Sequence, residues 1–187
     1  MFSERIERAL RTAQEAHAGQ TRKGLGAVPY VTHPVHVAIL LARLGADDVA
    51  ITAGLLHDVV EDCEGWTDAR VELEFGPEVA AIVRELTEDK SRSWRERKLD
   101  GIERVKHMSV AAATVKAADK LHNLRALVAD LRSGAPASAV WARFNGGRDR
   151  TLELSTQLVN ELVERVDPRL GRELRAAIEE LHELPGG

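Results

Sequence analysis

The chain has 187 residues, enough for one domain with a full core and short for two. Its 44% hydrophobic and 30% charged residues describe an ordinary soluble globular protein, and a net charge of −4 disfavours a generic nucleic-acid coat protein, which would be basic. The single cysteine, Cys63, excludes an internal disulfide and a cysteine-built zinc site, no apolar run approaches a membrane span, and the charged start Met1-Phe2-Ser3-Glu4-Arg5 is not a signal peptide, so the cytoplasm is the expected compartment.

Aromatics are only 4%, and Ala, Leu, Val, Glu and Arg fill their place, a balance that leans toward helix. Ser3 caps a first helix with Ile6, Ala9, Leu10, Ala13 and Ala16 on one face. Gly19 to Thr32 reads as a loop, with three glycines and Pro29. Thr32-His33-Pro34 restarts a helix that Gly45 stops. Asp47 caps the next, which is expected to run through Leu55, Leu56 and Val59 to a break at Gly65. Thr67 starts a short helix ending at Gly76, and Pro77 opens another. Ser93 and Glu96 have capping-box spacing for a helix from Trp94. Ser109 begins a long helix through Leu131, and a further stretch runs from Ser138, as N-cap, to Val166 with a break near Gly146-Gly147. Asp167-Pro168 opens the last, to about Leu184. The expectation is a compact all-α domain of roughly nine helices over residues 1–187, with no strand and an oligomeric state left open, a homodimer included.

Four residues stand out as metal-ligand candidates: His33, the adjacent pair His57-Asp58, and Asp119. Each site falls on a different expected helix. Imidazole nitrogens with carboxylate oxygens suit a divalent transition ion such as Mn²⁺, Fe²⁺ or Zn²⁺ better than Ca²⁺. Adjacent helical residues point about 100° apart, so His57 and Asp58 reach one ion only if it lies over the helix edge between them. Glu61 and Asp62 follow at i+4, within a turn of the metal, where an acid can orient or deprotonate a water. The pair follows Ala53-Gly54-Leu55-Leu56, and Asp119 sits in the largely apolar Val115-Lys116-Ala117-Ala118-Asp119. A polar group beside a core stripe is costly unless paired or metal-bound. Asn123 shares the face of Asp119. Asp119 alone would also serve as an ion-pair partner of Lys116 or Lys120, and Glu61 and Asp62 as solvated helix-end acids. His36, at i+3 from His33, competes as a ligand, and spacing does not choose between the two. His17, His107, His122 and His182 have no comparable surroundings in the sequence.

The strings Tyr30-Val31-Thr32-His33-Pro34-Val35, Gly54-Leu55-Leu56-His57-Asp58-Val59-Val60-Glu61-Asp62 and Lys116-Ala117-Ala118-Asp119-Lys120-Leu121-His122-Asn123-Leu124 resemble the HD-domain metal-dependent phosphohydrolases. Within them the chain is most similar to the (p)ppGpp hydrolase domain of the Rel/SpoT enzymes and to the stand-alone small alarmone hydrolases. Ala16-His17-Ala18-Gly19-Gln20-Thr21-Arg22-Lys23 and Phe75-Gly76-Pro77-Glu78-Val79-Ala80 add to the similarity, which covers about residues 5–131. The resemblance implies an all-helical HD-domain bundle and one Mn²⁺ held by His33, His57, Asp58 and Asp119. It implicates Glu61 and Asp62 in activating the attacking water, Arg22 and Lys23 near base and phosphates, and Asn123 near ribose and base. It matches His33 rather than His36. The implied reaction releases pyrophosphate from a guanosine 3′-diphosphate, without the synthetase of the long enzymes. Related enzymes that take the 2′-phosphate from NADPH, and idle nucleotide-binding HD modules, are the alternatives. Where the hydrolases often carry Thr, this chain has Ala126, which removes a hydroxyl from the expected nucleoside pocket.

A polyanionic substrate needs local positive charge that the net −4 does not supply. Two sources are Arg22-Lys23 and the run Lys90 to Lys98, from which Lys90, Arg97 and Lys98 are the candidate phosphate contacts. A solvated helix entrance would give the second run the same composition.

Overall fold

Capping chemistry sets most helix boundaries in the computed structural model, which describes residues 1–24 and 26–184. The Ser3 hydroxyl accepts from the Ile6 N–H at the start of α1 (Glu4–Ala16). α2 (Thr32–Leu44) ends at Gly45, whose φ of 82° suits glycine and strains other residues. The Asp47 carboxylate caps α3 (Asp48–Leu56) by accepting from Ala50 N–H at 2.9 Å. α4 (Val59–Asp62) is a single turn. Thr67 caps α5 (Asp68–Phe75), and α6 (Pro77–Leu86) carries proline in its first turn. The reciprocal Ser93–Glu96 capping box opens α7 (Trp94–Val105). Ser109 caps α8 (Val110–Arg132), and α9 (Ala137–Trp141), α10 (Gly147–Val163) and α11 (Pro168–Glu183) complete the chain.

Eleven helices are described where the sequence suggests about nine, because two are very short. The helix expected to run on through Val59 stops at Leu56, and His57-Asp58 form a turn before α4. One physical cause is local. The His57 Nδ1–H donates to the Gly54 carbonyl at 2.8 Å, competing for the acceptor that Asp58 N–H would use in a continuing helix. Ser138 is not an N-cap: α9 begins at Ala137, after Pro136, and Ser138 lies inside it. The expected break near Gly146-Gly147 is present, with Gly147 at φ 60°. The described part of the Gly19–Thr32 loop closes as a narrow hairpin. Arg22 N–H donates to Val28 O and Tyr30 N–H to Gln20 O, both at 2.9 Å, with one isolated bridge between Thr21 and Pro29.

α3 lies at the centre, and every residue from Ala50 to Leu56 is buried. It packs on α1, α2, α6 and α8. Gly54 permits a close approach of α2: a Cβ there would meet Leu41 Cδ1 at 2.5 Å and Val37 Cγ1 at 3.4 Å. α8 is the long strut, touching α2, α3, α6, α9, α10 and α11. A single apolar core draws buried residues from all eleven helices, from Ala9 to Leu181. Among the described residues no helix is long and apolar enough to cross a membrane.

Candidate metal centre

His33 enters from the first turn of α2, His57 and Asp58 from the turn closing α3, and Asp119 from the middle of α8. His33 Nε2 lies 3.1 Å from Asp119 Oδ1 and 3.7 Å from Asp58 Oδ2. His57 Nε2 lies 3.1 Å from Asp58 Oδ2 and 3.9 Å from Asp119 Oδ1. The two rings are 1% and 5% exposed. Ligand atoms of His33, His57 and Asp58 fall within 4.8 Å of one another. Neighbouring donors of an octahedral ion with bonds of about 2.1 Å stand about 3 Å apart, so this spacing suits one divalent cation.

His57 carries the strongest sign of a missing charge. Its Nδ1 faces the Gly54 carbonyl, which only accepts, so Nδ1 holds a proton and the neutral ring's lone pair is on Nε2. Among the described residues that Nε2 is buried with no well-directed hydrogen bond, although Asp58 Oδ2 lies 3.1 Å away. A lone pair and a carboxylate oxygen at 3.1 Å repel unless a proton or a metal ion lies between them. Burial works to lower the His57 pKa, yet the charge and contact of Asp58, then Asp119, lift it to about 9. Burial likewise works to raise both carboxyls. His57 beside Asp58 outweighs it and holds that acid at about 2, and His33 does the same for Asp119, well below the usual carboxylate range. The cluster demands positive charge, and its imidazole and carboxylate donors fit a divalent transition ion.

The hairpin loop and α8 supply the surrounding hydrogen bonds. The Tyr30 hydroxyl donates to Asp58 Oδ2 at 2.6 Å, and burial together with Asp58 pushes its pKa far up. Arg22 Nη2 donates to Asn123 Oδ1 at 2.6 Å, and Asn123 Nδ2 donates to Asp119 Oδ1 at 2.5 Å, so a chain of contacts runs from the loop to the cluster. The Arg22 guanidinium also lies 5.6 Å from the Tyr30 ring centre. Lys23 is exposed, and its backbone carbonyl accepts from Arg143 Nη1 at 2.7 Å. Arg143 Nη2 donates to Asp130 of α8 at 2.9 Å, so one guanidinium ties the loop to the strut.

Glu61 and Asp62 stand on the turn that follows. Glu61 Oε2 accepts from the Glu88 N–H at 3.2 Å, and burial, against that bond, raises its pKa. Asp62 Oδ1 lies 2.5 Å from Lys90 Nζ, and its N–H donates to Asp58 O at 2.8 Å, which keeps the i, i+4 relation. Glu61, by contrast, is no longer on one continuous helix with His57. Lys98 Nζ and Arg97 Nη1 sit 2.8 and 3.7 Å from the two oxygens of Glu88. All three candidate cations of the basic run are therefore held by carboxylates.

Several neighbours of the cluster were not legible in the sequence. His122 Nδ1 lies 2.8 Å from His33 Nδ1, and burial, then the charges of His33, Arg22 and His36, depresses its pKa to about 3. The exposed His36 stays outside the cluster, its ring centre 4.7 Å from that of His122. Lys116 and Lys120 are half-buried near Asp119, and Lys120 Nζ donates to Ser155 Oγ at 2.8 Å. Burial lowers both amines, Lys120 to about 8, while Asp119 opposes it. Their spacing around Asp119 was the available signal, and it reads equally as ordinary ion pairing.

The HD domain family matches residues 9–149. A Mus musculus protein, guanosine-3′,5′-bis(diphosphate) 3′-pyrophosphohydrolase MESH1, is 44% identical over 117 residues. That match covers 62% of this chain and 65% of the mouse protein, just under two thirds of its length. A solved structure, described as a metazoan ortholog of SpoT that hydrolyzes ppGpp and plays a role in starvation responses, superposes with a TM-score of 0.83. The two chains are 32% identical, over 96% of this one and 97% of the other. A crystal structure from Listeria monocytogenes superposes with a TM-score of 0.71 at 34% identity, over 79% of this chain and 96% of that one.

Proposed function

Because this chain belongs to the HD-domain family, we propose that it is a metal-dependent phosphohydrolase that removes pyrophosphate from guanosine 3′,5′-bis(diphosphate) and its triphosphate analogue, leaving GDP or GTP. The observation that carries the reading is the meeting of the buried His33 and His57 with the half-buried Asp58 and Asp119, close in sequence to the Glu61-Asp62 pair, in a chain so similar to a pyrophosphohydrolase of that substrate.

His33, His57, Asp58 and Asp119 would hold the ion, and Mn²⁺ suits their mixed nitrogen and oxygen donors. When bound, a divalent ion supplies polarisation of the phosphate and a more acidic water. Glu61 takes a proton from the attacking water as the water oxygen bonds to phosphorus and the bond to the nucleoside 3′-oxygen breaks, and that proton passes to the 3′-oxygen so that the nucleoside departs with its 3′-hydroxyl. Burial raises the Glu61 pKa and so makes its carboxylate a stronger base than an exposed glutamate. Asp62, tied to Lys90, orients the water and keeps a cation near the diphosphate under attack. Tyr30 fixes the Asp58 carboxylate, and Asn123 fixes that of Asp119. Arg22 and Lys23 receive the anionic nucleotide from the loop, while Arg97 and Lys98 neutralise Glu88 and lend their surplus charge to the phosphates.

We read residues 1–187 as one hydrolase unit. The family match ends at 149, but α10 packs on α7 and α8, and α11 packs on α8 and α10, over the same core. A cytoplasmic location is part of the same proposal.

The test is a product assay. Chelator-treated protein resupplied with Mn²⁺ is expected to release pyrophosphate and GDP from guanosine tetraphosphate. Release of single phosphate, or turnover confined to other nucleotides, overturns the substrate assignment. A second prediction concerns the loop. Arg143→Ala removes three charge-assisted hydrogen bonds, one of them to Val140 O on its own turn and two that tie the loop to α8, the latter worth about 1–2 kcal/mol together at a half-buried site. It is expected to raise KM about tenfold with kcat little changed, in steady-state assays. A fall in kcat at constant KM would show that Arg143 acts elsewhere.

A further inference from the structure

His33 is almost wholly buried and presents Nε2 to Asp119 and Asp58. Its other nitrogen, Nδ1, faces Nδ1 of His122 at 2.8 Å. His122 stands on α8 one turn beyond Asp119, and its ring centre lies 4.8 Å from that of His33. A contact of that length between two ring nitrogens is a hydrogen bond only if one nitrogen carries the proton and the other a lone pair. An imidazole that gives its Nε2 lone pair to an ion must carry its proton on Nδ1. His33 is then the donor and His122 the acceptor.

The comparison with His57 shows why this matters. His57 reaches the same tautomer through the Gly54 carbonyl, an acceptor with no alternative state. Among the described residues His33 Nδ1 meets no such carbonyl, and its partner is a ring that can either donate or accept at the same atom. With the Nδ1 proton on His122 instead, His33 would carry its own on Nε2, aimed at the space where an ion would sit. We propose that His122 is a positioning residue of the metal centre, holding His33 in the tautomer and ring orientation that leave Nε2 free to bind the ion. The inference rests on His33 being a ligand, and not on the identity of the nucleotide. It also divides the labour within the third sequence motif. Asp119 binds, Asn123 braces Asp119, and His122 braces the ligand on the facing helix.

The experiment compares His122→Phe, His122→Leu and His122→Asn with the unaltered protein. The Asn side chain can place an accepting Oδ1 near the position of Nδ1, whereas Phe and Leu cannot accept. Mn²⁺ affinity is measured by calorimetric titration without nucleotide. The His33 Nδ1–H resonance is followed by nitrogen-15 NMR in protein loaded with Zn²⁺, which is diamagnetic. Thermal melts of the metal-free proteins check folding. Affinity is expected to fall about 10- to 100-fold in the Phe and Leu variants and to recover most of the way in the Asn variant. The Nδ1–H signal should persist in the Asn variant and be lost or broadened in the others. Unchanged affinity in a folded Phe or Leu variant, or an Asn variant as weak as they are, overturns the proposal. A His33→Ala control separates the two readings: full Mn²⁺ affinity there would remove His33 from the ligand set, whatever His122 does.

Discussion

Asp119→Ala is expected to lower Mn²⁺ affinity by at least about a hundredfold and to take hydrolysis to background. Asp119 is the only one of the four candidate ligands contributed by α8, and its Oδ1 stands 3.1 Å from His33 Nε2 and 3.9 Å from His57 Nε2. Its loss leaves Asp58 as the single carboxylate facing two buried imidazoles. It also strips the Asn123 amide of its acceptor, and through Asn123 loosens Arg22. Two defects should therefore appear together, a weaker metal site and a less ordered loop. Metal content after gel filtration and titration of Mn²⁺ into the chelated protein check the first. Full occupancy in the variant would remove Asp119 from the ligand set.

Glu61→Gln is expected to retain the metal and lose turnover by about 10²–10⁴-fold, the usual contribution of a general base. The substitution keeps the size of the side chain and an oxygen that can accept from Glu88 N–H. Asp62→Asn should cost less, because Asp62 already spends one oxygen on Lys90. The sign of the pH dependence follows from Glu61's environment. A base works only when deprotonated, and burial raises the Glu61 pKa. The kcat profile should thus fall on its acid side at a pH above the ordinary glutamate range, and the Gln variant should lack that limb. A Glu61→Gln enzyme with normal kcat and an unchanged profile would assign the proton transfer to another group.

What the sequence made legible was whatever is written locally. Ser3, Asp47, Thr67, Ser93, Ser109 and Asp167 each cap the helix expected of them, because capping needs only a short polar side chain a few residues from an amide. The break after Leu56 was not legible, since it depends on which way the His57 ring turns. The gathering of His33, His57, Asp58 and Asp119 followed from residue type and resemblance, and spacing alone left His36 in play. Tyr30 and His122 escaped because their roles depend on partners distant in sequence, Asp58 for one and His33 for the other. The basic run from Lys90 to Lys98 read as surplus charge, but folding sets Glu88 and Asp62 against it.

Gly54 has a consequence for ion choice. It marks the contact between the helix that carries His33 and the helix that ends just before His57, where a Cβ would come within 2.5 Å of Leu41 Cδ1. The separation of those two candidate ligands depends in part on how closely two apolar helix faces approach, a distance that is stiff once the core packs. An ion of the wrong radius would have to pry the helices apart and open space around Leu41 and Val37. If His33 and His57 share an ion, that packing would limit how far the two rings can part, and a cation of different size would be met by strain in the hydrophobic interior as well as by its donors.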